Sequence, residues 1–314
     1  MLQNLIKSIQ SQMSNNPNSN HLSFELRAIQ TVLQEQKMLE AKSLAIQNIL
    51  NKEAILSDLN KAEFKVFSQW GDDGIIQFLV DYLEIEHHTF IEFGVENYEE
   101  SNTRFLLMNN CWKGLVMDGS ENNVNQIKQS NLYWQYQLQA KCAFINKDNI
   151  NTLISEYTNN KELGVLVIDV DGNDYWIWEA IDVVQPTLVI VEYNSLFGHE
   201  KAITVLYNPN FKRTEAHYSN LFYGASLKAL QALANSKNYA LVACNRNGNN
   251  AFFVRKDKLK SIRELSVTQA YKQASFRESR DTKGKLSYLN FEEAIKTIKG
   301  LEVFNVESGQ SEPF

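Results

Sequence analysis

Between Thr89 and Asp118 the chain runs apolar, polar, helical and apolar again. Thr89 to Val95 (TFIEFGV) is a strand-length apolar run that breaks into the polar loop Glu96 to Glu100. Ser101 and Asn102 offer an N-cap, Thr103 to Asn109 reads as a helix, and Gly114 to Met117 is a second apolar run ending in Asp118. Strand, glycine-containing turn, helix, strand and acidic end make half of an α/β nucleotide-binding unit.

The alternation continues on both sides. SQWGDDG (Ser68 to Gly74) leads into a helix at Ile75 to Leu83. A helix is predicted near Asn122 to Gln129, a strand near Gln135 to Ala143, and a helix at Asn149 to Tyr157 capped by Asp148. GVLVIDV (Gly164 to Val170) is apolar on both faces and, like Thr187 to Val191, reads as a buried parallel strand. Ala225 to Ser236 reads as a helix, and YALVACN (Tyr239 to Asn245) with AFFVRKD (Ala251 to Asp257) as a hairpin turning at Asn247-Gly248-Asn249. The whole predicts a doubly wound, mostly parallel sheet with an antiparallel last strand.

Residues 1–61 are different, rich in Gln, Asn, Leu and Ile. Two helical stretches are predicted, broken at Asn15-Asn16-Pro17-Asn18. In the second, Leu22, Leu26, Ile29 and Leu33 follow a 4-3-4 spacing before polar Gln36 and Glu40. Such an arm either packs on its own domain or pairs with a second subunit in a homodimer. The chain therefore divides into a helical arm (1–61), an α/β domain (62–258) and a C-terminal extension (259–314). An insertion, Ser195 to Gly224, rich in Tyr, Phe, Asn and His, interrupts the alternation.

Composition narrows the classes. At 314 residues the chain holds one large α/β domain with additions or two smaller ones. A net charge of -6 provides no basic character for nucleic acid or a membrane surface. Three widely spaced cysteines suggest neither a disulfide framework nor a zinc site. No apolar run approaches the ~20 residues of a membrane span, and the chain reads as cytoplasmic.

Charge also selects the cofactor. A dinucleotide needs glycines and a bare helix N-terminus for its pyrophosphate. Here the first turn has only Gly94 and carries Glu96, Glu99 and Glu100, which repel phosphate. S-adenosylmethionine (SAM) has no phosphate and carries a sulfonium and an ammonium group, so an acidic turn suits it.

The order of strands, the final hairpin and the acidic strand ends Glu92, Asp118 and Asp169 resemble a class I SAM-dependent methyltransferase. More narrowly, FSQWGDDGI, IEFGVENYEESNT, GLVMDGSE and VIDVDGNDYWIWEAI are similar to an FkbM-like branch associated with sugar and polysaccharide modification. The resemblance covers about Phe64 to Asp257. It implies a Rossmann-like methyltransferase fold with a seven-stranded sheet and SAM as cofactor. Where many methyltransferases have a second glycine, two residues after the first, this chain has Glu96, which tightens the loop.

Ligands of open α/β sheets sit beyond the carboxyl ends of the strands. Glu92 and Gly94 would line the methionine and ribose side, Asp118 would hold the ribose hydroxyls with Ser120 beside it, and Asn146 would meet the adenine edge. The resemblance places Gln69 and Asp72 at the amino-acid end of SAM; a helix N-cap is the other reading of Asp72. On the acceptor side Asp169, Glu192 and Asn194 are oxygen donors suited to Mg²⁺ or Mn²⁺, while Asp171 and Asp174 alternatively shape the turn. His217 is the candidate general base. His87 and His88 lie at the far end of the sheet, and Trp176 and Trp178 read as core. The leading function is a SAM-dependent O-methyltransferase acting on a sugar or glycan precursor. The alternative is a non-catalytic SAM-fold protein that binds a protein partner through its arm and tail.

Overall fold

The computed structural model describes residues 19–314. The first predicted helical stretch and the break at Asn15 to Asn18 lie outside the described residues. A 32-residue helix, Ser19–Leu50, is followed by the short helix Lys52–Leu56 and a 3-10 turn at Leu59–Ala62. The strands in chain order are β1 (Thr89–Phe93), β2 (Lys113–Asp118), β3 (Leu138–Cys142), β4 (Glu162–Ile168), β5 (Gln185–Glu192), β6 (Ile203–Val205), β7 (Tyr239–Cys244), β8 (Asn250–Arg255), β9 (Glu302–Asn305) and β10 (Gln310–Pro313).

Seven of them form one sheet in the order β3-β2-β1-β4-β5-β8-β7. The first five in that order are parallel, and β8 runs antiparallel between β5 and β7. This is the predicted Rossmann-like methyltransferase fold, with its switch point between β1 and β4. Leu163 to Ile168 of β4 are all buried, because helices cover both faces. One face packs Ile91, Phe93, Leu115 and Leu166 under the helices Ile150–Tyr157, Asp174–Ala180 and Leu227–Ser236. The other packs Phe90, Val116, Val165 and Ile190 under Asp72–Leu83 and Glu121–Gln129. Trp176 and Trp178 are buried as predicted, Trp178 with its ring centroid 4.9 Å from that of Phe253.

Boundaries shift where side chains offer a competing local structure. The third strand starts at Leu138, because Asn131–Gln135 forms a helical turn after Ser130. The helix predicted from Asn149 begins at Ile150, with Asn149 rather than Asp148 at the N-cap position. In the arm, Leu26 and Leu33 are half-buried while Ile29 is exposed, so the 4-3-4 stripe is not one face; the side chain of Leu22 lies outside the described residues. The residues buried against the domain are Met38, Ala41 and Ala45, and Asn48 Nδ2 donates to the Ala62 carbonyl at 3.1 Å.

The C-terminal extension folds back on the insertion. β9 pairs with β6 and with β10 in a three-stranded sheet, over a small core that includes Phe197, Ile203, Ile298 and Val303. Between them, residues 271–280 cross towards the end of the main sheet. They are held there by Tyr193 Oη donating to the Lys272 carbonyl (2.7 Å), Tyr271 Oη to the Ser195 carbonyl (2.8 Å) and Arg280 N–H to the Ser219 carbonyl (3.1 Å).

Candidate functional site

A cleft of about 840 Å³ opens at the carboxyl ends of β1, β2, β4 and β5. Its walls take Gln69 and Trp70 from the loop before the first sheet helix, Phe211 and Arg213 from the insertion, and Phe276 and Arg280 from the extension.

The end beside β1 and β2 is organised around Gly94 and Asp118. Gly94 has φ +71°, and a Cβ there would lie 1.6 Å from the Asp169 carbonyl oxygen, so only glycine fits. Glu96 is also left-handed, at φ +47°, a conformation that costs an L-residue about 1 kcal/mol. Its N–H donates to Asp118 Oδ2 at 2.8 Å. Asp118 Oδ1 accepts from Ser120 N–H (2.8 Å) and Asn123 Nδ2 (3.1 Å), and the carboxylate borders the cleft.

Several predicted residues do structural work around this end. Glu92 borders the cleft, but its carboxylate accepts from Ser101 Oγ (2.7 Å), Asn102 N–H (2.8 Å), Thr103 N–H (3.0 Å) and the Thr103 hydroxyl. Burial raises its pKa, and these donors pull it back. Asp72 does not line the cleft. It is fully buried, takes Asn245 Nδ2 at 2.9 Å and Asn250 Nδ2 at 3.4 Å, and thereby ties its helix to the β7–β8 turn. Burial raises it to about 6. Its neighbour Asp73, not singled out in the sequence, accepts three backbone N–H groups, from Val66, Phe67 and Ser68, and the Ser68 hydroxyl, and so shapes the loop that presents Gln69. Ser120 caps the helix Glu121–Gln129 through Asn123 N–H. Asn146 accepts from the N–H groups of Asp148 and Asn149. Neither is among the residues lining the cleft.

The lining at this end carries Glu92, Glu96, Glu100 and Asp118, whereas the basic lining residues Lys212, Arg213 and Arg280 come from the insertion and extension. An anionic pyrophosphate is disfavoured here and a phosphate-free cation is favoured. Asp118, at the end of β2, adds to this acidic character and suits SAM on the same grounds.

At the other end, ligand oxygens of Asp169, Asp171 and Glu192 lie within 4.8 Å of one another. Glu192 Oε2 is buried and accepts no hydrogen bond. Burial, followed by the neighbouring Asp169, holds the Glu192 carboxyl well above its ordinary range; burial and Asp171 do the same to Asp169. Arg213 opposes both. Its Nη1 donates to Asp171 Oδ1 (2.8 Å), its Nε to the Asn220 carbonyl (2.6 Å), and its guanidinium carbon sits 3.8 Å from the centre of the Tyr223 ring. Three converging carboxylates with one orphaned oxygen fit a divalent cation, though Arg213 already holds one oxygen of Asp171.

Asn194 is not part of this cluster. Its Nδ2 donates to the carbonyls of Leu221 (2.9 Å) and Tyr223 (3.0 Å), and its Oδ1 accepts from Leu196 N–H, so it fastens the insertion. Asp171, left-handed at φ +56°, stands in its place. Asp174 shapes the turn as predicted, accepting from Val170 and Gly172 N–H, and burial raises it to about 6. His217 is not on the cleft wall; its Nδ1 is 2.7 Å from Ser219 Oγ, and burial lowers its pKa. Sequence reading missed Arg213, which sits in a four-residue helix, Arg213–Ala216, with no periodic signal.

No protein-family model matches the chain, and no curated protein matches it. Among solved structures, it is similar to the N-terminal domain of EvdMO1 with SAH bound, at 9% identity and a TM-score of 0.39 over 60% of this chain and 80% of that one. It is similar to an O-methyltransferase from Bacillus cereus in complex with SAH, at 12% identity and 0.39 over 69% and 89%. The CurJ carbon methyltransferase matches at 9% identity and 0.40 over 77% and 72%. These likenesses are distant, and the chain's own strand order and cleft are the firmer guide to its chemistry.

Proposed function

We propose that this chain is a SAM-dependent O-methyltransferase of the FkbM-like branch, acting on a hydroxylated sugar or glycan precursor. The observation that carries the reading is one cleft with two differently built ends. The first is acidic, glycine-pinned and bordered by Asp118; the second holds the buried, unpartnered Glu192 Oε2 beside Asp169. Asp118 would take the ribose hydroxyls, with Gly94 and Gln69 lining the same cleft towards the methionine end of the cofactor. SAM, when bound, supplies an electrophilic methyl group.

The protein's part is to align the acceptor oxygen and receive its proton. Glu192 and Asp169 are suited to that because burial, followed by the neighbouring carboxylates, raises their proton affinity. Asp169, Asp171 and Glu192 would hold Mg²⁺ or Mn²⁺, which when present lowers the pKa of an acceptor hydroxyl. Half-exposed Trp70 stacks on Phe276 with ring centroids 6.1 Å apart, and their remaining faces, with the Phe211 ring on the cleft wall, would be the surfaces offered to a sugar.

The test is a transfer assay with deuteromethyl SAM and a panel of free sugars, nucleotide sugars and glycans, read by mass spectrometry. Label on a sugar oxygen is the expected result. Label confined to amines or carbon, or no transfer to any hydroxylated acceptor, contradicts the proposal.

A further inference from the structure

The long arm helix Ser19–Leu50 has two apolar faces, and among the described residues only one is covered. Met38, Ala41 and Ala45, with Gln34 and Asn48 flanking, face the domain. The opposite side carries Ile29, Val32, Leu39, Ile46 and Leu50, with exposures from 53% at Ile29 to 78% at Leu50. With the exposed Gln36 and Ser43 these positions run 29, 32, 36, 39, 43, 46, 50, a 3-4 alternation over three heptads. That is the seam spacing of paired helices, and it differs in phase from the stripe read in the sequence.

We propose that a second copy of this chain packs on this face as an antiparallel helix pair, with Ile29 opposite Ile46 of the second copy. Charge decides both the occupant and the direction. Glu35 and Lys42 flank the seam on the same edge, one heptad apart, and both are exposed. In an antiparallel pair, flanking positions of this kind meet each other. Placing Ile29 against Ile46 brings Glu35 against Lys42 of the second copy, and by symmetry Lys42 against its Glu35. A parallel pair instead brings Glu35 against Glu40 of the second copy on both sides of the seam. The face is therefore complementary to itself in one direction and repulsive in the other. Between positions 29 and 46 the polar seam residues have apolar partners in this register, Gln36 against Leu39 and Ser43 against Val32, while Leu50 falls against Glu25, which favours a reversible dimer.

The test uses the full chain with the exposed Cys111 and Cys142 replaced by Ser. Sedimentation across a dilution series should give a mass that rises with concentration towards twice the 36.1 kDa chain mass, and Leu39→Glu with Ile46→Glu should give the chain mass throughout with unchanged melting temperature. A mixture of Ile29→Cys chains and Ile46→Cys chains should form a disulfide-linked dimer on oxidation, while Ser43→Cys alone should not. A monomeric parent, or a double-Glu variant that stays dimeric, overturns the proposal. So does linkage by Ser43→Cys without linkage in the mixture, which is the parallel arrangement.

Discussion

The backbone N–H of Glu96 donates to Asp118 Oδ2 at 2.8 Å from a left-handed conformation. The bond ties the loop after β1 to the end of β2 across the cleft floor. A glycine at position 96 would reach the same conformation without strain, so the Asp118 bond is what stabilises Glu96 there.

Asp118→Ala should weaken SAM binding by about 2–3 kcal/mol, the scale of two charge-assisted hydrogen bonds. It should also lower stability, because the N–H groups of Glu96 and Ser120 lose their acceptor. Calorimetry on the folded variant is the check, and unchanged affinity refutes the assignment of this strand end.

Gly94→Ala should cost more than about 3 kcal/mol of stability or displace the end of β4, since its Cβ would meet the Asp169 carbonyl. Because that strand end also carries the Asp169 carboxylate, affinity for SAM and turnover should fall together. A denaturation midpoint equal to the parent's would show that the two strand ends are not in contact.

Asp169→Asn and Glu192→Gln should each reduce turnover sharply while leaving SAM affinity within about 1 kcal/mol, because both serve the acceptor. Exhaustive chelation should depress turnover, with Mg²⁺ or Mn²⁺ restoring it. Full activity after chelation leaves Arg213 as the positive charge of the cluster and removes the divalent ion from the account.

Asp72 allows a pH test of the scaffold. Burial raises its folded pKa from 3.8 to about 6, so the folded state holds the proton more tightly than the unfolded state. Its contribution to stability is complete below the unfolded value and is lost as pH rises through the folded one. Asp72→Asn keeps an acceptor for Asn245 and carries no charge. It should therefore gain on the order of 3 kcal/mol over the parent at neutral pH and lose that advantage below about pH 4. Urea midpoints of both proteins across this window are the measurement; a difference independent of pH contradicts the assignment.

The main sheet was legible because β4 and β5 are continuous apolar runs, which only a strand covered on both faces tolerates. Asp118, Asp169 and Glu192 were legible for a related reason: acidic residues closing such runs must lie at the strand ends. What escaped depends on contacts distant in sequence or on local geometry. Phe276 and Arg280 reach the cleft through bonds between segments distant in sequence, Tyr193 Oη to the Lys272 carbonyl and Arg280 N–H to the Ser219 carbonyl. Asp171, from a left-handed turn, joins the exposed side of the cluster in place of Asn194, which carbonyls of the insertion hold away. Asp72 and Asp73 are adjacent and alike in sequence, yet one holds the β7–β8 turn and the other the Gln69 loop. In the arm, Leu26 and Leu33 look equivalent to Ile29 by spacing, and only docking against the domain distinguishes the faces.

The acidic lining of the cleft beyond β1 and β2 favours a phosphate-free adenosine cofactor over a dinucleotide. Titration calorimetry of the full chain with SAM, S-adenosylhomocysteine and NAD tests it most directly. SAM and S-adenosylhomocysteine should bind saturably, with affinity weakened in Asp118→Ala, and NAD should give no heat. Binding of NAD without SAM, or of none of the three, would contradict it.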